Sequence, residues 1–340
     1  MKINLISDTV TTPTKGMLAA MMSAKVGDDV FKEDATVNAL EEKTAALFGM
    51  EAALFFPSGT MANQTAIKVH TQPGEQLICD HYAHIFNYEG GGVSFNSGVS
   101  CKLIAGHRGM ITAKQVTAAI NPPDFYHSPL TTLVSLENTT NKGGGAIWDF
   151  QEMKAIKEVC TAHGLKFHLD GARLWNALAV TGEDPKLYGH LFDSISVCLS
   201  KGLGCPVGSV LLGSKDFIAK ALRVRKVFGG GMRQAGFLAA AGIYALDHHR
   251  ERLKEDHKKA KEIEAILSEK DFIASVSPVD TNIIIFELNE SVLDTEAFMH
   301  KMDENNIRLI SMGSGKLRLV THLNYTDEMH GHFLSILNRF

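Results

Sequence analysis

Three short segments carry side chains whose types and spacing suit chemistry. Residues 167–173 read Phe-His-Leu-Asp-Gly-Ala-Arg. Asp170 directly follows an apolar run, Gly171 permits a tight approach, and Arg173 comes three residues after the aspartate. Residues 198–204 read Cys-Leu-Ser-Lys-Gly-Leu-Gly, which puts Lys201 past a second apolar run and before a glycine loop. A lysine at the mouth of a buried strand is poorly solvated, so the neutral, nucleophilic amine is favoured. Such an amine forms Schiff bases. An aspartate in the same cleft suits a pyridinium nitrogen, the pairing that turns pyridoxal 5'-phosphate (PLP) into an electron sink. On spacing alone, an Asp170–Lys201 ion pair capping two strands reads equally well.

The third segment is Pro-Ser-Gly-Thr-Met-Ala-Asn, residues 57–63, after the apolar run 52–56. A strand, a tight turn and a helical start make an anion-binding nest at a helix N-terminus. Ser58, Gly59 and Thr60 would offer N–H groups and hydroxyls to a phosphate. The Gly-Lys-Ser/Thr ending of a nucleotide P-loop is missing. No GxGxxG follows a first strand, which counts against a nicotinamide enzyme. By itself such a turn simply starts a helix.

These groups need elements to hold them. Short apolar runs at 132–136, 167–169, 195–199 and 209–212 read as strands. Between the first two, apolar residues at 150, 153, 156 and 159 have helical spacing that ends at Gly164. Continuous apolar strands separated by helices predict a mostly parallel sheet covered on both faces. Near residue 245 the texture changes. A charged helix over 247–270, read as a solvated face, precedes a strand (283–288) and a helix (295–304). Strand-like segments at 308–311 and 317–321 and a last helix (327–340) follow. The division predicts an N-terminal segment plus large α/β domain over 1–245 and a small α+β domain over 246–340.

The chain has 340 residues, 45% of them apolar and 21% charged, with a formal net charge of -4. That excludes a disordered chain and gives no basic excess for nucleic acid. No run approaches the roughly 18 apolar residues of a membrane helix, and the start MKINLISDTV is not read as a signal peptide. Five cysteines without a CxxC suggest neither a disulfide framework nor a zinc site, so a cytoplasmic setting is expected. Cys198 reads as core, and Cys205 as a loop residue near the site. His81 and His84 lack the further ligands of a metal centre, so no metal is expected.

Motifs along the whole chain resemble those of the L-threonine aldolase family, PLP-dependent aldolases of β-hydroxy amino acids with the aspartate-aminotransferase fold (fold type I). They are SDTVTTPTKGM (7–17), VGDDVFKEDATVNALE (26–41), SGTMAN (58–63), AHIFNYEGGG (83–92), SLENT (135–139), LDGARLWNA (169–177), CLSKGLGCPVGS (198–209), GGGMRQAG (229–236), AAAGIYAL (239–246) and LRLVTHL (317–323). The resemblance implies cleavage of L-threonine or L-allo-threonine to glycine and acetaldehyde. It assigns PLP to Lys201 as a Schiff base, the ring nitrogen to Asp170, and the phosphate to Ser58, Gly59 and Thr60. His84 would stack on the ring and exchange protons, and Arg173 would lie near the ring hydroxyl and the substrate carboxylate. Ser7 and Arg318 would help hold that carboxylate, and His127 would contact the substrate hydroxyl. Lys226 and Arg233 would approach the phosphate from a neighbouring subunit of a homo-oligomer, a dimer with shared sites or a tetramer. Each has a bland alternative: His84 a core residue, Ser7-Asp8 a helix cap, Arg318 a surface strand residue, His127 a loop residue. The family's Glu-Asn-Thr-His-Asn is Glu-Asn-Thr-Thr-Asn here, so Thr140 puts substrate preference in question. Another PLP reaction, such as β-elimination or racemisation, and a non-catalytic PLP-binding protein are the competing readings.

Overall fold

The computed structural model describes all residues from Met1 to Phe340. Its strands, in chain order, are β1 (Ile3–Asn4), β2 (Ala52–Phe56), β3 (Gln76–Asp80), β4 (Ser100–Ile104), β5 (Thr131–Glu137), β6 (Lys166–Gly171), β7 (Ser194–Cys198) and β8 (Ser209–Gly213). The C-terminal part adds β9 (Ile273–Val276), β10 (Ile283–Leu288), β11 (Ile307–Arg308), β12 (Ile310–Gly313) and β13 (Lys316–Val320). Seven strands form one sheet in the order β2-β8-β7-β6-β5-β3-β4. The apolar runs become strands because β3, β7 and β8 are buried along their whole length, as a sheet covered on both faces requires.

One strand departs from the parallel pattern. β8 runs antiparallel to both β7 and β2, while the other pairs are parallel. The reason is chain length. Segment 199–208 holds no helix and falls short of the crossover of about a dozen residues that a parallel return needs. Because β8 reverses, β2 again points the same way as β5, β6 and β7. Their carboxyl ends therefore share one edge of the sheet, where open α/β sheets gather function.

Helix Phe150–Ala162 matches the expected spacing. Asp149 caps it by accepting from Gln151 N, and Met153, Ile156 and Cys160 face the core. Gly164 follows with a φ of 68°, a left-handed conformation natural to glycine.

The C-terminal lobe holds an antiparallel sheet, β12-β13-β10-β9, and a separate parallel pair, β1-β11. Its core includes Ile263, Phe286, Phe298, Leu319 and Phe333. Ile3 and Leu5 pack in this core as well, so the chain's first strand belongs to the C-terminal lobe. The strand-like segment 308–311 divides between two sheets: β11 pairs with β1, and β12 pairs with β13. The charged helix is also divided. Helix Gly236–His248 ends, a turn intervenes, and helix Leu253–Ser268 begins. At that turn His249 Nδ1 bonds the Leu203 carbonyl at 2.7 Å. The second helix is not merely a solvated face, since Asp256 and His257 are buried and Asp256 pairs with Arg252.

No helix is long and apolar enough to cross a membrane.

Candidate active site

Asp170 is the last residue but one of β6, buried, with only two bonds to its carboxylate. Oδ2 accepts from Asn63 Nδ2 at 2.9 Å, and Oδ1 accepts from Ala172 N at 3.1 Å. No side-chain cation pairs with it, so the expected alternative of an Asp170–Lys201 ion pair is not what the structure holds. A buried carboxylate without a cation is costly, and a protonated ring nitrogen would satisfy it. Gly171 lets the chain turn here, because a Cβ on it would come within 2.5 Å of the Ser196 carbonyl oxygen.

Lys201 lies three residues beyond the end of β7, half-buried, and its carbonyl accepts from Thr11 Oγ1 at 3.3 Å. Its ammonium enters no hydrogen bond or ion pair with the chain. Its charge is felt at Asp8.

The turn and helix start expected at residues 57–63 form. Ser58 caps helix Gly59–His70, its Oγ accepting from Met61 N at 3.2 Å. The N–H groups of Gly59 and Thr60 find no acceptor in the chain. Gly59 sits against β7 so closely that a Cβ would meet Cys198 Sγ at 2.7 Å. Nearby, Arg225 pairs with Asp29 at 2.8 Å and donates to the Phe55 carbonyl at 2.6 Å. The Arg225 carbonyl accepts from Gly230 N in the glycine loop 229–231, where a Cβ on Gly230 would strike Met61 Sδ.

His84 opens the short helix His84–Asn87. Its backbone N–H donates to Glu137 Oε2 at 2.8 Å, and its Nδ1 donates to Glu89 Oε1 at 3.0 Å. Glu89 also accepts from Asn63 Nδ2 at 2.9 Å and Gln64 Nε2 at 2.6 Å. Asn63 thus ties Glu89 to Asp170. Burial would lower the His84 pKa, but the bond to Glu89 and the charges of Asp170, Glu89 and Glu137 raise it above its ordinary value. Burial, with the Asp170 charge, pushes the Glu137 carboxyl up to about 7, against the amides of Asn141 and His84. Ligand atoms of His84, Glu89 and Asp170 lie within 4.8 Å of one another, a spacing a cation could use. Two of the three are already bonded to each other, which is the arrangement of a proton network.

The residues expected to clamp the substrate carboxylate come from both lobes. Arg173 Nε and Nη2 donate to Asp8 at 2.8 and 2.7 Å in a bidentate pair. Burial would raise the Asp8 carboxyl, but Arg173 outweighs it and holds the group at about 2. The remaining Arg173 Nη1 reaches Asn141 Oδ1 at 3.4 Å. Arg318, from β13, donates to the same Asn141 Oδ1 at 2.9 Å and to the Ile6 carbonyl at 3.1 Å. Its Nε is buried without an acceptor. Burial and the Arg173 charge lower the Arg318 pKa, so this pair of cations calls for an anion. Ser7 lies next to these groups and caps the turn Asp8–Val10, accepting from Thr9 N.

Three expected residues stand apart within the chain. His127 is exposed in the loop before β5, its ring tilted against that of Tyr126 with centroids 4.0 Å apart. Glu137 marks the other end of that strand, roughly 20 Å away at about 3.3 Å per residue. His127 therefore does not join the site of its own chain, which corrects its expected contact with the substrate hydroxyl there. Lys226 and Arg233 are exposed, and Arg233 pairs with Asp28 at 2.8 Å. Cys205 is buried, and burial pushes its thiol up to about 12, so it is core. Thr140 is buried too, its Oγ1 donating to the Arg108 carbonyl at 2.8 Å, so it braces a loop.

Asp8, Asn63, Glu89, Glu137 and Asn141 were not singled out as site residues from sequence. Four of them stand inside the quoted motifs SDTVTTPTKGM, SGTMAN, AHIFNYEGGG and SLENT, so a signal existed. Their roles come from partners far along the chain, which no local pattern shows.

An amine, a buried carboxylate without a cation, a flat imidazole and a helix N-terminus with free amides make a donor set that fits PLP. Comparisons with known proteins agree. The beta-eliminating lyase family profile matches residues 4–291. Low-specificity L-threonine aldolase 1 of Arabidopsis thaliana is 42% identical over 331 residues, covering 95% of this chain and 92% of that protein. The low specificity L-threonine aldolase of Escherichia coli K12 is 42% identical, covering 96% and 95%. The solved structure of Leishmania major threonine aldolase superposes with a TM-score of 0.85 at 21% identity, covering 99% of both chains.

Proposed function

The chain belongs to the beta-eliminating lyases and, among them, to the low-specificity L-threonine aldolases, and from that premise we propose that it cleaves L-threonine and L-allo-threonine to glycine and acetaldehyde. PLP, bound here, supplies an electron sink for the bond broken at the substrate's Cα. The observation that carries the reading is the buried Asp170 carboxylate, unpaired by any cation, at the same strand edge as the free Lys201 amine.

The chain's own residues divide the work. Lys201 would carry the cofactor covalently. Asp170, held by Asn63 and Ala172 N, would keep the ring nitrogen protonated. Ser58, Gly59 and Thr60 would bind the phosphate through the helix N-terminus. Arg173, Arg318 and Ser7 would hold the α-carboxylate, with Asn141 giving up its shared oxygen contact. Fixing that carboxylate decides which bond at Cα is broken. His84 donates Nδ1–H to Glu89, which leaves Nε2 as the atom that accepts the β-hydroxyl proton. His127, Lys226 and Arg233, exposed on their own chain, would complete sites on a neighbouring copy, so the active form is a homo-oligomer with shared sites.

The test is Lys201→Ala. Borohydride reduction of the wild-type holoenzyme should fix PLP on the peptide containing Lys201. The variant should lose that label and all acetaldehyde release from L-threonine. Normal turnover by the variant would sink the assignment. Pyruvate release from serine, with no aldehyde from threonine, would mark an eliminase instead.

A further inference from the structure

A cleft of about 410 Å³ opens between the two lobes, lined by Tyr82, Arg108 and Lys142 of the large lobe and by Ile285, Glu287 and Lys316 of the small one. Its cations are not equivalent. Arg108 pairs with Asp280 at 2.9 Å and donates to the carbonyls of Gly143 and Pro278. Lys316 faces Glu287 at 3.9 Å. Lys142, on the large-lobe wall, pairs with no carboxylate. Its Nζ lies over two aromatic rings, 5.8 Å from the centroid of Tyr82 and 5.4 Å from that of Tyr88.

Aromatic faces orient an ammonium but do not neutralise it or use up its three donors. Lys142, half-buried, is therefore a positioned cation with no counter-charge from the chain. Its place is close to the chemistry. It follows Asn141, whose Oδ1 receives both clamp arginines. Tyr88, in turn, has its ring 5.6 Å from that of His84. Tyr88 thus stands between the proton-accepting imidazole and the lysine.

Resting on the retro-aldol reading, we propose that Lys142, held by Tyr82 and Tyr88, recognises the substituent on the substrate's Cβ and favours β-hydroxy amino acids in which that substituent carries a carboxylate. β-Hydroxyaspartate is the smallest of these. Its cleavage balances without a co-reactant. The β-hydroxyl loses its proton, the Cα–Cβ bond breaks, the β-carbon leaves as the aldehyde of glyoxylate, and Cα takes a proton to give glycine. A threonine methyl group, being short and apolar, draws nothing from an ammonium. The neutral aromatic wall still accepts it, which suits a broad substrate range.

The experiment compares kcat/KM for L-threo-β-hydroxyaspartate, read as glyoxylate, with that for L-threonine, read as acetaldehyde. The holoenzyme, Lys142→Gln and Lys142→Arg are measured side by side. The ratio in favour of hydroxyaspartate should fall tenfold or more in Lys142→Gln and persist in Lys142→Arg. A second arm uses calorimetry on the holoenzymes with two amino acids that have no β-hydroxyl, L-aspartate and L-alanine. Wild type should bind aspartate more tightly, and Lys142→Gln should lose that preference. A ratio unchanged in Lys142→Gln, together with equal binding of aspartate and alanine by wild type, overturns the proposal. Failure of wild type to cleave threonine would instead refute the retro-aldol reading, and the calorimetric arm then decides the role of Lys142.

Discussion

At the scale of single residues, the site turns on where one proton sits. Three buried carboxylates, Glu89, Glu137 and Asp170, surround one imidazole, His84. Their charges, with the Glu89 hydrogen bond, overcome burial and raise the His84 pKa. As the proposed base, His84 would work in its neutral form, so activity should fall on the acid side as the ring gains a proton. Glu89→Gln removes one charge and turns a charge-assisted bond into a neutral one. The His84 pKa should drop, and the acidic limb of the kcat/KM profile for threonine should move to lower pH. A pH series of acetaldehyde release checks this, and an unmoved limb would place the base elsewhere. Lys201, Asp170 and Arg173 were legible in the sequence because each follows a recognisable apolar run. Glu89 was not, because its partners Asn63, Gln64 and His84 meet it only in the fold.

At the scale of elements, the proposed phosphate nest depends on how closely helix Gly59–His70 approaches β7. A Cβ at position 59 would lie 2.7 Å from Cys198 Sγ and 3.4 Å from Ser209 Oγ, both in fixed strands. Gly59→Ala should therefore push the helix N-terminus away from the ring site. We expect PLP affinity to fall about tenfold, roughly 1.4 kcal/mol, with far-UV circular dichroism unchanged. Titration of the apoenzyme with PLP measures it. Adding Cys198→Ala should recover part of the loss, since the two side chains compete for one space. The strands were largely readable, because fully covered strands are unbroken apolar runs. The direction of β8 was not in its own residues; it follows from the short connection 199–208. The break between the helices Gly236–His248 and Leu253–Ser268 was hidden for a related reason. Charges run through it without interruption, and what sets it is the bond from His249 to the distant Leu203.

At the scale of the whole molecule, the proposed substrate clamp is also the joint between lobes. Asp8 accepts from Arg173 of the large lobe and from Asn282 Nδ2 beside β10, the latter at 3.3 Å. Arg318, on β13, reaches back to the Ile6 carbonyl and across to Asn141. The chain's first residues reach this joint because β1 pairs with β11. Asp8→Asn keeps the shape but leaves Arg173 buried with no counter-charge. Breaking a buried pair from one side costs about 3–5 kcal/mol, which for a chain of this length lowers Tm by roughly 5 °C. The pH dependence gives a second check. The folded Asp8 carboxyl sits at about 2, below its reference value of 3.8, so its stabilisation is complete above that reference and is lost as pH falls toward 2. The Tm gap between wild type and Asp8→Asn should be full at pH 7 and should narrow between pH 4 and pH 2. Scanning calorimetry across that range tests it. A gap that stayed constant with pH would mean that the ion pair is not what holds the lobes in register. In that case the loosened clamp, read as a raised KM for threonine, should also fail to appear.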